Sequence, residues 1–223
     1  MLDSFVFLPF ISATLKSSSE QINFPNFNDQ TMRENFNKTN ESKLKNIKLN
    51  IPYVNQKDDL KDTEYEKIGG SACGPATITM ALKSKGENID LKKVIDELPD
   101  SVYVKGKMFY DLTAGPKYFG FKAIQIEPTI KSVYETLKTG EPILMNIQNY
   151  DGVTGHEVLV VGIKNYSEET KSADSLIVHD PFREAYREFP IISEHYLEQP
   201  EGYKLFIGTL KPFYIEKASL ASN

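Results

Sequence analysis

The chain has 223 residues, a hydrophobic share of 40% and a formal net charge of −5. That is length for one domain with a tail, and an acidic balance with both signs scattered along the chain offers no basic face for nucleic acid. One cysteine and three histidines exclude an internal disulfide and a cysteine-rich zinc site; the G-x-x-x-x-G-K-[ST] phosphate loop is absent, and no cofactor is implied.

The opening residues carry an apolar run from Phe5 to Ile11, far short of the about 18 apolar residues of a membrane-spanning helix. Followed by Ser12 and Ala13, the run has the outline of a secretory signal, but Asp3 has the wrong sign for one. A signal of a secreted or cell-surface protein and a plain disordered end of a cytoplasmic one both stand as readings. Residues 17–48 are rich in Asn, Ser, Lys and Glu without a sustained period, which reads as a linker or mobile arm. Asn37 and Asn40 fit the glycosylation triplet, a pattern common by chance in Asn-rich sequence. The boundaries are then an arm at 1–48, one domain at 49–214 and a tail at 215–223.

Within the domain, residues 74–85 predict a helix. Pro75 suits its first turn, Ile78, Ala81 and Leu82 share a face, and Gly86 suits the stop. Asp90 caps a second helix with Leu91, Val94, Ile95 and Leu98 as its apolar face. A third covers 107–120 and ends near Gly115 and Pro116. Thr129 caps a fourth, with Ile130, Val133 and Leu137 on one side and Gly140 at its end. Strands are expected at 121–127, 142–148, 156–164, 175–180 and 204–210. Helices first and most strands later predict an α+β fold, with a helical part packed on a largely antiparallel sheet.

The sole cysteine, Cys73, stands at a helix start. A lone cysteine is most simply a small buried hydrophobe. A helix N-terminus, however, stabilises an anion, and a thiol reacts as its thiolate. Gly69, Gly70 and Gly74 surround Cys73 and let a backbone or substrate approach. A nucleophilic cysteine needs a base. His156 opens an apolar strand behind Gly152 and Gly155, where it either faces a cleft or is a plain turn histidine. An imidazole in turn needs orienting. Asp180 ends a strand and either accepts Nδ1–H from His156 or initiates a turn before Pro181. His179, its neighbour, faces the opposite way and is the second candidate for the base. His195 reads as a surface residue. The Cys73 N–H and the side-chain amide of Gln56 are candidate oxyanion donors. Asn146, Gln148 and Tyr150, just before His156, are candidates for a cleft rim.

The stretches "IPYVNQ", "SACGPATITMAL", "GHEVLVVGI" and "IVHDPF" occur in the order and type of cysteine peptidase family 39 and its relatives. The chain resembles these double-glycine leader peptidase-like proteins of the papain-like superfamily over roughly residues 50–212. The resemblance implies a papain-like fold with a helical lobe carrying the cysteine and a sheet lobe carrying the histidine and aspartate. It further implies Cys73 as nucleophile, His156 as base then acid, Asp180 as orienting carboxylate and Gln56 as oxyanion donor. By their places in the chain, Gly70, Gly74, Tyr150 and Gly155 are candidates for the substrate site. The expected partner is a peptide or protein substrate. The same order of residues also suits a thiol acyltransferase of transglutaminase-like or phytochelatin-synthase-like type, and a binding module that keeps the fold is a third reading. Family members fused to transporter and ATPase domains differ from this chain, which contains neither, and the family does not account for the arm.

Overall fold

The computed structural model describes residues 44–107, 111–152 and 155–219. The apolar run at Phe5–Ile11, the triplets at Asn37 and Asn40 and the beginning of the third expected helix, residues 108–110, lie outside the described residues. Apart from short 3-10 turns at Asp58–Leu60, Glu66–Ser71 and Tyr150–Gly152, the elements in chain order are β1 (Leu44–Lys48), α1 (Cys73–Ser84), α2 (Leu91–Glu97), a 3-10 helix (Leu112–Phe119), β2 (Phe121–Gln125), α3 (Ile130–Lys138), β3 (Ile143–Ile147), β4 (His156–Ser167), β5 (Ser175–His179), β6 (Arg187–Ser193), β7 (Tyr196–Glu198), β8 (Lys204–Phe206) and β9 (Phe213–Lys217).

Local signals account for the helices. Asp90 accepts from the Lys93 N–H at 2.8 Å, and Thr129 accepts from the Ser132 N–H at 3.1 Å, so both expected caps close their helices. α1 is buried more widely than one face, with every residue from Gly74 to Leu82 inside. The third expected helix is a 3-10 helix instead. Pro116 removes a backbone donor there, and Gly115 sits where a Cβ would come within 2.5 Å of Ile78 Cδ1. The segment is shaped by close packing on α1.

The described strands form one sheet in the order β2-β9-β3-β4-β5-β6-β7-β8, with β1 also on β4, and every pairing is antiparallel. This is the expected α+β architecture, a helical region packed against an antiparallel sheet. More strands form than the sequence suggested. β1 draws on the last residues of the segment read as arm, and β9 runs into the segment read as tail and lies between β2 and β3. Both are organised by pairing across the sheet, a non-local cause.

α1 and α2 cover one face of the sheet through a core that includes Ile78, Leu82, Val94, Leu144, Leu159, Val161 and Phe213. α3 covers the other through Val133, Leu137, Ile143, Val158 and Val160. β4 is the common spine, since it pairs with β3 and β1 along one edge and β5 along the other. No helix among the described residues is long and apolar enough to cross a membrane.

Candidate active site

Three chain segments converge on the ends of α1, β4 and β5. The first is Tyr53–Gln56. Its Gln56 N–H donates to Pro181 O at 2.7 Å, and Tyr53 Oη donates to Asp180 O at 2.8 Å, which fastens this segment to the end of β5. The Gln56 side chain is buried and its Nε2 donates to Gly69 O at 2.6 Å. A Cβ at Gly69 would meet Gln56 O at 3.0 Å, so glycine permits this approach. Gln56 therefore bridges β5 and the turn that leads into α1. One N–H of its amide is used, and Oε1 has no hydrogen-bond partner among the described residues.

Cys73 is the first residue of α1 and is half-buried. Its N–H belongs to the helix turn that lacks intrahelical acceptors. Its carbonyl accepts from Thr77 Oγ1 at 3.1 Å, a bond within the helix.

His156, the first residue of β4, is buried with its ring on that of Tyr150, centroids 4.1 Å apart. Its Nε2 lies 2.9 Å from Asp180 Oδ1. This reverses the nitrogen expected from sequence: Nε2, not Nδ1, meets the carboxylate. Burial pushes the imidazole pKa down. Hydrogen bonds and charge from Asp180 and Cys73 outweigh it and hold the group at about 9.

Asp180 is fully buried and has four donors. Oδ1 receives His156 and the Phe182 N–H at 3.1 Å; Oδ2 receives Tyr150 Oη at 2.7 Å and Arg187 Nη1 at 2.6 Å. Burial pushes its pKa up, but the bonds from His156, Tyr150 and Arg187 pull it down to about 2. Arg187 is itself buried and its Nη2 reaches both oxygens of Glu201, at 2.5 and 2.6 Å.

The other expected residues fall as follows. Tyr150, read as a rim residue, is buried behind His156 with its hydroxyl on Asp180. Gly155 is packed tightly, with Gln148 Nε2 2.6 Å from where a Cβ would stand. Gly74 is buried in α1, whereas a Cβ at Gly70 would meet open space. His179 faces away from the cluster. Its Nδ1 accepts from the Tyr186 N–H at 3.2 Å and its Nε2 donates to Ile51 O at 2.9 Å, which fixes a neutral tautomer, and burial lowers its pKa. It ties β5 to the segment before Tyr53.

Sequence reasoning missed Arg187 and Glu201. An arginine opening an amphipathic strand carries no signal until β6 is paired to β5. It also passed over Glu157, a charge inside the apolar run of β4, which is buried. Among the described residues no group of three or more His, Cys, Asp or Glu side chains is placed to hold a metal ion.

Comparison with known proteins adds three findings. The profile of the Peptidase_C39 like family matches residues 48–202. A crystal structure of the peptidase domain of Streptococcus ComA, described as a bi-functional ABC transporter involved in a quorum-sensing pathway, aligns at 18% identity and a TM-score of 0.40, covering 74% of this chain and 99% of that one. No curated protein matches.

Proposed function

The chain belongs to the Peptidase_C39 like family, and from that premise we propose that it is a papain-like, thiol-dependent peptidase or amide hydrolase with Cys73, His156 and Asp180 as its triad. The observation that carries the reading is the position of His156 at the start of β4, its Nε2 2.9 Å from Asp180 Oδ1, and its pKa is raised to about 9, with Asp180 and Cys73 as the raising causes. A histidine so placed is an imidazolium at neutral pH, able to give its proton to a leaving amine.

The reaction proceeds in two halves. The Cys73 thiolate attacks the substrate carbonyl carbon, and the carbonyl electron pair moves onto oxygen. The Cys73 N–H and the second amide hydrogen of Gln56 stabilise that oxyanion, with Gly69 fixing the amide plane. As the C–N bond breaks, the His156 imidazolium gives its proton to the leaving amine and a thioester remains on Cys73. His156, now neutral, takes a proton from water. The resulting hydroxide attacks the thioester, the C–S bond breaks, and acid and thiolate are released. Asp180 holds the ring and its charge, and is held by Tyr150 and Arg187. Gly70, where a Cβ would meet open space, leaves room for the substrate backbone.

The test is Cys73→Ala. The unmodified chain should be alkylated by iodoacetamide at Cys73 and should cleave members of a peptide library read by mass spectrometry; the variant should do neither. Unchanged peptide turnover by Cys73→Ala would overturn the reading.

A further inference from the structure

Glu157 follows His156 in β4, so its side chain leaves the opposite face of the strand. That face carries Leu144, Leu159 and Phe213, the side covered by α1. Its cross-strand neighbour is Asn146, whose Nδ2 donates to Glu157 Oε1 at 2.6 Å. Oε2 has no hydrogen-bond partner among the described residues, and the residue is 4% exposed. Burial pushes its pKa up to about 7, against smaller opposing effects of Asn146 and the charge of His156. Buried polar atoms are nearly always paired, and a native orphan asks for an explanation.

Glu157 lines a cavity of about 210 Å³ between the 3-10 helix and the sheet. This is smaller than the roughly 300–1,000 Å³ of sites for whole small molecules, and suits a single side chain. Leu112, Leu144 and Phe213 form apolar wall, and Asp111 adds a second carboxylate. Lys211 also borders the cavity, but its Nζ is engaged by Glu127 at 2.5 Å. Apolar wall with an unmatched carboxylate is the environment that an alkyl stem with a cationic head satisfies. Glu157 is the chain neighbour of His156 but leaves the other face of β4, so the cavity lies across the strand from the imidazole.

We propose that this cavity is a side-chain subsite admitting a lysine or arginine of the bound peptide, its stem against Leu112, Leu144 and Phe213 and its head on Glu157 Oε2. The proposal rests on the peptidase reading for what brings a peptide there, yet binding can be measured without turnover. The probes are Nα-acetyl-lysine methylamide and its norleucine counterpart, titrated by NMR into the Cys73→Ala chain. The lysine probe should bind about tenfold more tightly, as expected of a charge-assisted hydrogen bond. Introducing Glu157→Gln as well should remove that ratio, because glutamine keeps the acceptor for Asn146 and loses the charge. Equal affinities in the Cys73→Ala chain overturn the subsite by themselves, whatever the fate of the glutamine variant, and so does a lysine preference that survives Glu157→Gln. Equal affinities with Cys73-dependent peptide cleavage intact discard the subsite alone. A Glu157-dependent lysine preference in a chain that cleaves nothing keeps the subsite and discards the peptidase.

Discussion

Asp180 and Glu157 are both buried carboxylates, both are electrostatically coupled to His156, and they sit on opposite sides of the ordinary carboxylate range. Asp180 is held at about 2 and Glu157 at about 7. Burial is the largest influence on each and acts upward on both, so burial does not separate them. Partners do. Asp180 receives a histidine, a phenol, a guanidinium and a backbone N–H, while Glu157 receives one amide from Asn146. A carboxylate with a full set of donors is a fixed negative charge, suited to orienting an imidazolium. One with a free oxygen is a group still lacking a partner. The two faces of the sheet thus give one functional group, the carboxyl, two different electrostatic states.

The sharpest way to break this contrast is at Asp180. Asp180→Asn removes the charge that keeps His156 protonated but keeps the shape. We expect peptide cleavage to fall by roughly three orders of magnitude or more, as in other enzymes where an orienting aspartate is so replaced. The alkaline limb of kcat/KM, expected near pH 9 as His156 loses its proton, should move toward neutral, because burial then acts with less opposition. A limb that stays put in the pH profile would mean that Asp180 does not set the state of the ring.

A smaller effect is expected at Arg187, whose side chain is 4% exposed and whose removal leaves Asp180 Oδ2 short of a cation. Arg187→Met should lower stability in urea by about 3 kcal/mol, the lower end for breaking a buried pair, since His156 and Tyr150 still serve Asp180. The double change with Asp180→Asn should lose less than the sum of the two. Additive losses would show that the guanidinium acts only through Glu201.

How much of this was readable from sequence follows from which interactions are local. The caps Asp90 and Thr129 lie within the turns they close, and the apolar runs that become β3, β4 and β5 stand out without knowledge of their neighbours. β1 does not stand out: it is a largely polar stretch, ordered by antiparallel pairing with the far half of β4. β9 is similar, since its place between β2 and β3 depends on pairings across the sheet. At the candidate site, Cys73, His156 and Asp180 stand out in the sequence because each lies at or next to an element boundary, and Gln56 stands out only within the resembling stretch "IPYVNQ". The ring nitrogen that meets Asp180 does not, nor does the burial of Tyr150. Both depend on how the Tyr150 turn folds back over β5, and sequence spacing carries no such angle. Alternation along β5 did separate His179 from Asp180, and the two point to different partners.

The smallest expected effect tests the other half of the contrast. The Glu157 pKa is raised from 4.5 in the unfolded chain to about 7 in the folded one. Below pH 4.5 both states hold the proton and the group contributes nothing to the pH dependence. Between these values the unfolded chain ionises while the folded one does not, so stability falls as pH rises, by roughly 3 kcal/mol once pH exceeds the folded value. Glu157→Gln has no proton to lose and keeps the bond from Asn146. In urea titrations its stability relative to the unmodified chain should therefore improve from pH 4 to pH 8, by at most that amount. A difference independent of pH would mean that the carboxyl is already paired, and the contrast with Asp180 would then be one of degree. A difference that grows with pH, and shrinks when the lysine probe is bound, would place the missing partner of Glu157 on the ligand.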